Sequence, residues 1–446
     1  MQFFNNLSKQ LEEFKPFKDG VVTVYSCGPT VYDVSHVGHS RSCLVWDMLS
    51  RYLKFKGYKV IWIRNITNVD DKIVKRAAEV GISPDQLSRK YTYEFWNDMT
   101  ALNISWPEFE PRATDYISEM IRFIEELVEK GFAYESQGDV YFRVSKHKDY
   151  GQLKGMSLEE LAKGEARVEE NSRKEDRLDF ALWKAFPNED YSFDSPWGKG
   201  RPGWHLECST MIKSILEDLG LGTTLDIHSG GDDLIFPHHE NECAQSECLT
   251  DKKLANFWLH NGMVMINGKK MSKSENNFMT IKDLLAKYKA NTIRYFALST
   301  HYKKQINFSD EALTAAQTGF NKLFNIVKEA DTSKKPDQAL LDEFTKVMDQ
   351  DLNTPQALAL LFENKDKPET IAYLLGVLGF NLKEEAADGS KSTESLSKVM
   401  DLVLSIREKA RSKKDFETSD LVRDGLTEIG IKIKDHRDAP SEWQLD

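Results

Sequence analysis

Five cysteines in a chain of 446 residues are too few, and too irregularly placed, for a disulfide framework. The thiols are then left for metal or for packing, and a reducing, cytoplasmic setting is the expectation. Long apolar runs are missing as well, and residues 1 to 20 carry Glu12, Glu13, Lys15 and Lys18 where a signal peptide needs an apolar segment. No membrane partner is expected. Positive charge is in deficit, with a net charge of -11, which excludes nucleic-acid binding over the whole surface but not along a local basic track. There is no internal repeat, so solenoids and propellers drop out.

What the chain does contain is too long for one core, and three or more domains are expected. The stretch Val21 to Arg41 carries the densest chemistry. Val21, Val22, Val24 and Tyr25 read as a buried strand that runs into Cys27-Gly28-Pro29-Thr30, turn chemistry at the end where a parallel strand delivers its ligand site. His36-Val37-Gly38-His39 opens a helix with Leu44, Val45, Met48, Leu49 and Leu53 at helical spacing and Gly57 as its stop. Both histidines therefore lie near a helix N-terminus, where anions bind. Tyr58 to Ile66 is a second strand, which makes the start of a doubly wound α/β sheet.

The alternation lapses between Trp106 and about Gly200, where a helix at Tyr116 to Lys130, a hairpin at Gln137-Gly138-Asp139 and a highly polar stretch read as an insertion. It resumes with a helix after Gly203 and a strand at Thr224 to His228. Ser229 to Asp233 then reads as a flexible turn, and Phe236-Pro237-His238 as a helix start with proline in its first turn. After Ser309 the chain turns helical, with Asn381 to Ser397 read as a linker, a helix near Phe416 to Ile429 and a short strand at Ile431 and Ile433. The domains expected are 1–105 and 201–252 as two halves of a Rossmann-like doubly wound sheet and 106–200 as its insertion. A linker fold at 253–308, a helical bundle at 309–385 and a small α+β domain at 386–446 complete the chain.

Two constellations carry chemistry. His238 and Glu242 are four apart, so on a helix they share a face, and with Cys27 and Cys208 they offer zinc a sulfur, nitrogen and oxygen ligand set. Cys243 and Cys248, five apart, diverge on a helix and read as packing. Further on, Lys270-Met271-Ser272-Lys273-Ser274 offers two lysines and hydroxyls to a polyphosphate whose charge grows in a transition state. A local basic run, Arg407, Lys409, Arg411, Lys413 and Lys414, is opposed only by Glu408.

HVGH followed far downstream by KMSKS resembles the motif pair of the class I aminoacyl-tRNA synthetases. YSCGPTVYD, NITNVDDK, GWHLECS and FPHHENECAQS resemble their cysteinyl family, over nearly the whole chain. That resemblance implies one zinc held by Cys27, Cys208, His238 and Glu242, with Gly28, Thr67, Trp204 and Asp233 around the substrate cysteine. It implies Mg-ATP as co-substrate at Thr30, His36, His39, Gly230, Asp232 and Lys273. His36, His39, Lys270 and Lys273 are the implied catalytic residues, and tRNA the acceptor, with Arg411, Asp420, Asp435 and Trp443 facing its anticodon from the last domain. A monomer is expected. Ser229 departs from the family's usual third glycine, and Glu275-Asn276-Asn277 from its usual hydrophobic-Gly-Asn. The rivals are a cysteine ligase of thiol biosynthesis, which lacks an anticodon module, and a non-catalytic tRNA-binding paralogue, which has no need of intact motifs.

Overall fold

The computed structural model describes residues 1–163, 172–189, 191–270, 278–428, 431–434 and 442–445. They fall into two compact units, Met1–Phe380 and Asn381–Asp446.

The first unit is organised by a four-stranded parallel sheet. Strand β1 (Val21–Ser26), helix α1 (Val37–Phe55) and strand β2 (Lys59–Arg64) form the expected opening unit, with Val21 opposite Lys59 and Ser26 opposite Arg64. In both strands all but the first residue are buried, because a parallel sheet is covered on both faces. Later come helix α2 (Trp204–Asp218), strand β3 (Leu225–Gly231), helix α3 (Glu240–Thr250) and strand β4 (Ala255–Asn261). The order across the sheet is β4-β3-β1-β2. From β1 the chain moves outward to β2 on one side, and from β3 to β4 on the other. The crevice beyond the carboxyl ends of β1 and β3 is therefore the switch point at which such sheets bind ligands.

The insertion adds the helix Ile117–Glu129 and an antiparallel sheet of Ala133–Ser136, Asp139–Phe142, Phe180–Ala185 and Gly200–Pro202. Its hairpin turns at Gln137 and Gly138, both with positive φ, as a two-residue turn of matching twist requires. Beyond β4, the strand Val264–Ile266 pairs with Ile306–Phe308 and with the short Lys269–Lys270, and helices Ile281–Lys287 and Ala290–Leu298 lie between. Ser309 caps Asp310–Val327 as expected, accepting from the Ala312 N–H. Helices Gln338–Met348, Thr354–Glu363 and Pro368–Val377 complete the unit.

The second unit packs helices Leu382–Ser412 and Phe416–Glu428 with an antiparallel pair, Ile431–Lys434 and Glu442–Leu445, around Met400, Leu426 and Ile431.

Three local expectations are corrected. Residues 382–397 are helical rather than a linker: they lack an apolar stripe, but they contain no proline to stop a helix and run straight into the stripe that begins at Leu396. Ser229, Gly230 and Gly231 are the end of β3, paired with Leu259, His260 and Asn261, rather than a flexible turn. Pro237 is not in the first turn of a regular helix. It lies in an irregular turn, Ile235–His239, where Phe236 is extended and the Phe236–Pro237 peptide is cis, and α3 begins only at Glu240. The N-terminal hairpin of Gln2–Asn5 and Gln10–Glu13 has no counterpart in the sequence reading.

Candidate active site and metal centre

The loop leaving β1 is zipped to the loop leaving β2. Gly28 N–H donates to Asn65 Oδ1 at 2.8 Å, Thr67 N–H to the Pro29 carbonyl at 3.0 Å and Val31 N–H to the Thr67 carbonyl at 3.1 Å. A Cβ at Gly28 would lie 1.7 Å from the Asn65 carbonyl oxygen, so no side chain fits there. On the other flank Cys27 N–H donates to the Ser229 carbonyl at 3.2 Å, which seats the thiol over the switch point. Ser229 donates its hydroxyl to the Tyr25 carbonyl at 2.9 Å and is wholly buried.

His36 is the N-cap of α1. Its Nδ1 accepts from Gly38 N–H at 3.1 Å, and His39 Nδ1 accepts from His36 N–H at 3.2 Å, a reciprocal capping box. The rings stack with centroids 3.9 Å apart. Because both Nδ1 atoms accept, the proton of each neutral ring is inferred to sit on Nε2. Burial, helped by His36 alongside, pushes His39 well below the usual imidazole range and keeps it neutral. Two neutral N–H donors thus stand at the positive end of a helix. The segment leaving the KMSKS motif is bonded to the same spot: Val37 N–H donates to the Met279 carbonyl, Ile281 N–H donates to the Ser35 carbonyl, and Phe278 meets the His36 ring edge-on. Lys270 ends the short strand Lys269–Lys270, while Lys273, with Glu275 to Asn277, lies outside the described residues.

Cys27, Cys208 on α2, His238 in the irregular turn and Glu242 in the first turn of α3 converge, with their donor atoms all within 4.8 Å of one another. Cys27 Sγ is 3.7 Å from Glu242 Oε1, Cys208 Sγ is 3.7 Å from His238 Nε2, and His238 Nε2 is 2.9 Å from Glu242 Oε1. Zinc bond lengths set tetrahedral edges of about 3.3–3.8 Å, so the donor set fits zinc in chemistry and the two sulfur contacts fit it in spacing, while His238 and Glu242 stand closer, at hydrogen-bond distance. Burial raises the Glu242 carboxyl, but His238 and His228 beside it outweigh that and hold it at about 2. Burial depresses His238, yet Glu242 lifts it to about 10. Burial pushes the Cys27 thiol well up; burial raises Cys208 too, but the hydrogen bond from Cys27 and the His238 ring outweigh it and hold Cys208 below the usual thiol range.

Around the cluster, Trp204 stacks on His238 at 4.0 Å, and Thr67 donates its hydroxyl to Glu207 Oε2 at 3.0 Å. Gly230 faces the His239 ring, where a Cβ would lie 2.7 Å from Cε1. Asp232 and Asp233 follow β3 in a 3₁₀ turn, and burial, then Asp233, pushes the Asp232 carboxyl up to about 6. The sequence reading missed a second group of imidazoles. His228 Nε2 is 2.8 Å from Glu242 Oε2, His239 Nε2 is 3.2 Å from Cys27 Sγ, His239 Nδ1 is 2.8 Å from His260 Nε2, and His205 Nδ1 is 2.9 Å from His238 Nδ1. The available signal was clustering, since half of the ten histidines fall between His205 and His260. In the second unit Arg411 and Asp420 are exposed, Trp443 packs half-buried on the Met400–Leu426–Ile431 core, and Asp435 lies outside the described residues.

Comparison with known proteins points one way. Residues 13–318 match the family model "tRNA synthetases class I (C) catalytic domain", and residues 343–365 match the DALR domain. The cysteine–tRNA ligase of Shewanella loihica is 43% identical over 98% of both chains, and that of Streptococcus pneumoniae is 43% identical over 100% of both. A methionyl-tRNA synthetase structure from Mycobacterium tuberculosis, solved with methionyl-adenylate, superposes with a TM-score of 0.59. It covers 80% of this chain and 89% of its own at 16% identity, a likeness of fold alone.

Proposed function

The chain belongs to the cysteine–tRNA ligases, a class I aminoacyl-tRNA synthetase family of ATP-dependent ligases, and from that premise we propose how its residues divide the work. Cys27, Cys208, His238 and Glu242 hold a zinc ion. When bound, zinc supplies a seat for the substrate thiolate, which a serine hydroxyl, far less acidic, fills poorly. Thr67 and Trp204 wall the side chain of the substrate, Gly28, whose missing Cβ lets the two loops close on each other, lines the same pocket, and Asp233 takes its ammonium group.

ATP, accompanied by Mg²⁺, lies against Thr30, Gly230 and Asp232 at the carboxyl ends of β1 and β3. The cysteine carboxylate attacks the α-phosphorus, the bond to the β-phosphate oxygen breaks, and pyrophosphate leaves. His36 and His39 meet the phosphates with neutral Nε2–H donors at the start of α1, and Lys270 and Lys273 neutralise the departing pyrophosphate. The terminal ribose hydroxyl of tRNA then attacks the cysteinyl carbonyl and AMP leaves. Arg411, Asp420, Asp435 and Trp443 read the anticodon, and the protein works as a cytoplasmic monomer.

The observation that carries this reading is the convergence of two thiols, an imidazole and a carboxylate at the switch point beside the HVGH helix. Cysteine-dependent ATP–pyrophosphate exchange, run alongside transfer to tRNA and to an amino sugar, tests it. Exchange with transfer to tRNA is expected. Absence of exchange sinks the reading, and transfer to the sugar alone would make the protein a thiol-biosynthesis ligase, a rival disfavoured by relatives that match the chain from end to end.

A further inference from the structure

The metal centre holds more donors than one ion needs. Cys27 and Glu242 belong to two quartets at once: Cys27, Cys208, His238, Glu242 on one side and Cys27, His228, His239, Glu242 on the other, each with all donor atoms within 4.8 Å. We propose that Cys27, His228, His239 and Glu242 form a second seat for the metal ion, so that one ion has two alternative ligand sets built on the same thiol and carboxylate. The inference rests on the reading that Cys27 and Glu242 hold the ion.

The second seat is built as ligand sites are built. A ligating imidazole is normally fixed through its other nitrogen. His239 is fixed through its other nitrogen: Nε2 lies 3.2 Å from Cys27 Sγ while Nδ1 is tied to His260, whose own Nδ1 is bonded to the Asn6 side chain, and ligation takes the tautomer in which His239 Nδ1–H donates to His260 and the Asn6 amide turns its oxygen to the His260 ring. His228 is held differently: it stacks on Trp258 with centroids 4.4 Å apart and places Nε2 2.8 Å from Glu242 Oε2, while its buried Nδ1 has no hydrogen-bond partner. His228, His239 and Glu242 are wholly buried, so no solvent competes for their donor atoms.

The two seats differ in charge and softness. Two thiolates and a carboxylate around a divalent ion leave the first seat with one negative charge, whereas one thiolate and one carboxylate leave the second neutral. Sulfur-rich coordination favours softer ions, and imidazole suits cobalt and nickel as well as zinc. Loss of Cys208 or His238 therefore moves the ion across the shared edge instead of releasing it.

Cobalt(II) is the probe, because its sulfur-to-metal charge-transfer band reports the number of thiolates. The zinc-stripped full chain is reloaded and compared with Cys208→Ala and with Cys208→Ala/His239→Ala, each checked for folding by circular dichroism. The parent is expected to bind one equivalent with a two-thiolate band. Cys208→Ala is expected to keep one equivalent with a band of about half that intensity, and the double variant to lose stoichiometric cobalt. His238→Ala, which opens the first seat without touching a thiol, should keep one equivalent with about half the parent's band, because Cys208 is left behind; an undiminished band overturns the second seat, and this variant decides the matter should Cys208→Ala fail to fold. Cobalt-free single variants beside a loaded parent overturn the second seat while leaving the first intact, and so does a double variant that binds as tightly as Cys208→Ala. A parent that binds no cobalt overturns the first-seat reading itself, and the second seat with it.

Discussion

At the scale of single residues, the site is specified by what cannot be substituted. Gly230 lies under the His239 ring, and an added methyl would sit 2.7 Å from Cε1 with the ring already tied to Cys27 and His260. Gly230→Ala is expected to cost about 2 kcal/mol of stability through overpacking, and to raise the KM for cysteine more than it lowers kcat; thermal melts and exchange kinetics check both. Asp232 gives a pH signature. Burial and Asp233 raise its carboxyl to about 6, above its unfolded value, so its stabilising contribution is full only below the ordinary carboxylate range and is lost as pH rises through 6. Nucleotide hydroxyls need the ionised acceptor, so the KM for ATP should rise as pH falls below about 6, and Asp232→Asn should flatten that dependence. A pH-independent KM in the parent would remove Asp232 from the nucleotide site.

At the scale of elements, α1 is held where its histidines are useful by a buried ion pair. Asp47 of α1 meets Arg294 of the helix Ala290–Leu298 at 2.7 Å, with both side chains almost fully buried, and also accepts from Arg51 and from Ser105 N–H. Burial raises the Asp47 carboxyl, but Arg294 and Arg51 outweigh it and hold it below its usual value, so the contribution to stability is present above that value and lost as pH falls. Arg294→Met, which strands the carboxylate, is expected to cost about 3–5 kcal/mol by denaturant melts, and Asp47→Asn added to it to recover part of the loss. The helix itself is plain in the sequence, because Leu44, Val45, Met48, Leu49 and Leu53 keep helical spacing and all are buried. The last residues of β3 are not. Ser229-Gly230-Gly231 has turn composition, and what makes it strand is tertiary: pairing with β4 and the approach of the His239 ring, which glycine alone admits. For the same reason the zinc quartet can be assembled from residue types and spacing, while His228, His239 and His260, which owe their meaning to packing across strands, cannot.

At the scale of the whole molecule, two compact units divide the chain at Phe380. The donor cluster and the HVGH helix belong to the first, and the positions proposed to read the anticodon belong to the second. A chain ending at Phe380 is therefore expected to keep cysteine-dependent exchange within a few-fold of the parent while kcat/KM for tRNA falls by on the order of 10²-fold or more. Equal losses in both assays would argue against this division.

The central claim is that a metal ion held by Cys27, Cys208, His238 and Glu242 chooses cysteine through its thiolate. Titrating the cobalt-loaded protein with cysteine and, separately, with serine while recording the sulfur-to-cobalt charge-transfer band tests it most directly. The account predicts that the band grows by about half with cysteine, as a third thiolate joins two, and stays unchanged with serine; a band indifferent to cysteine at concentrations that saturate exchange would contradict it.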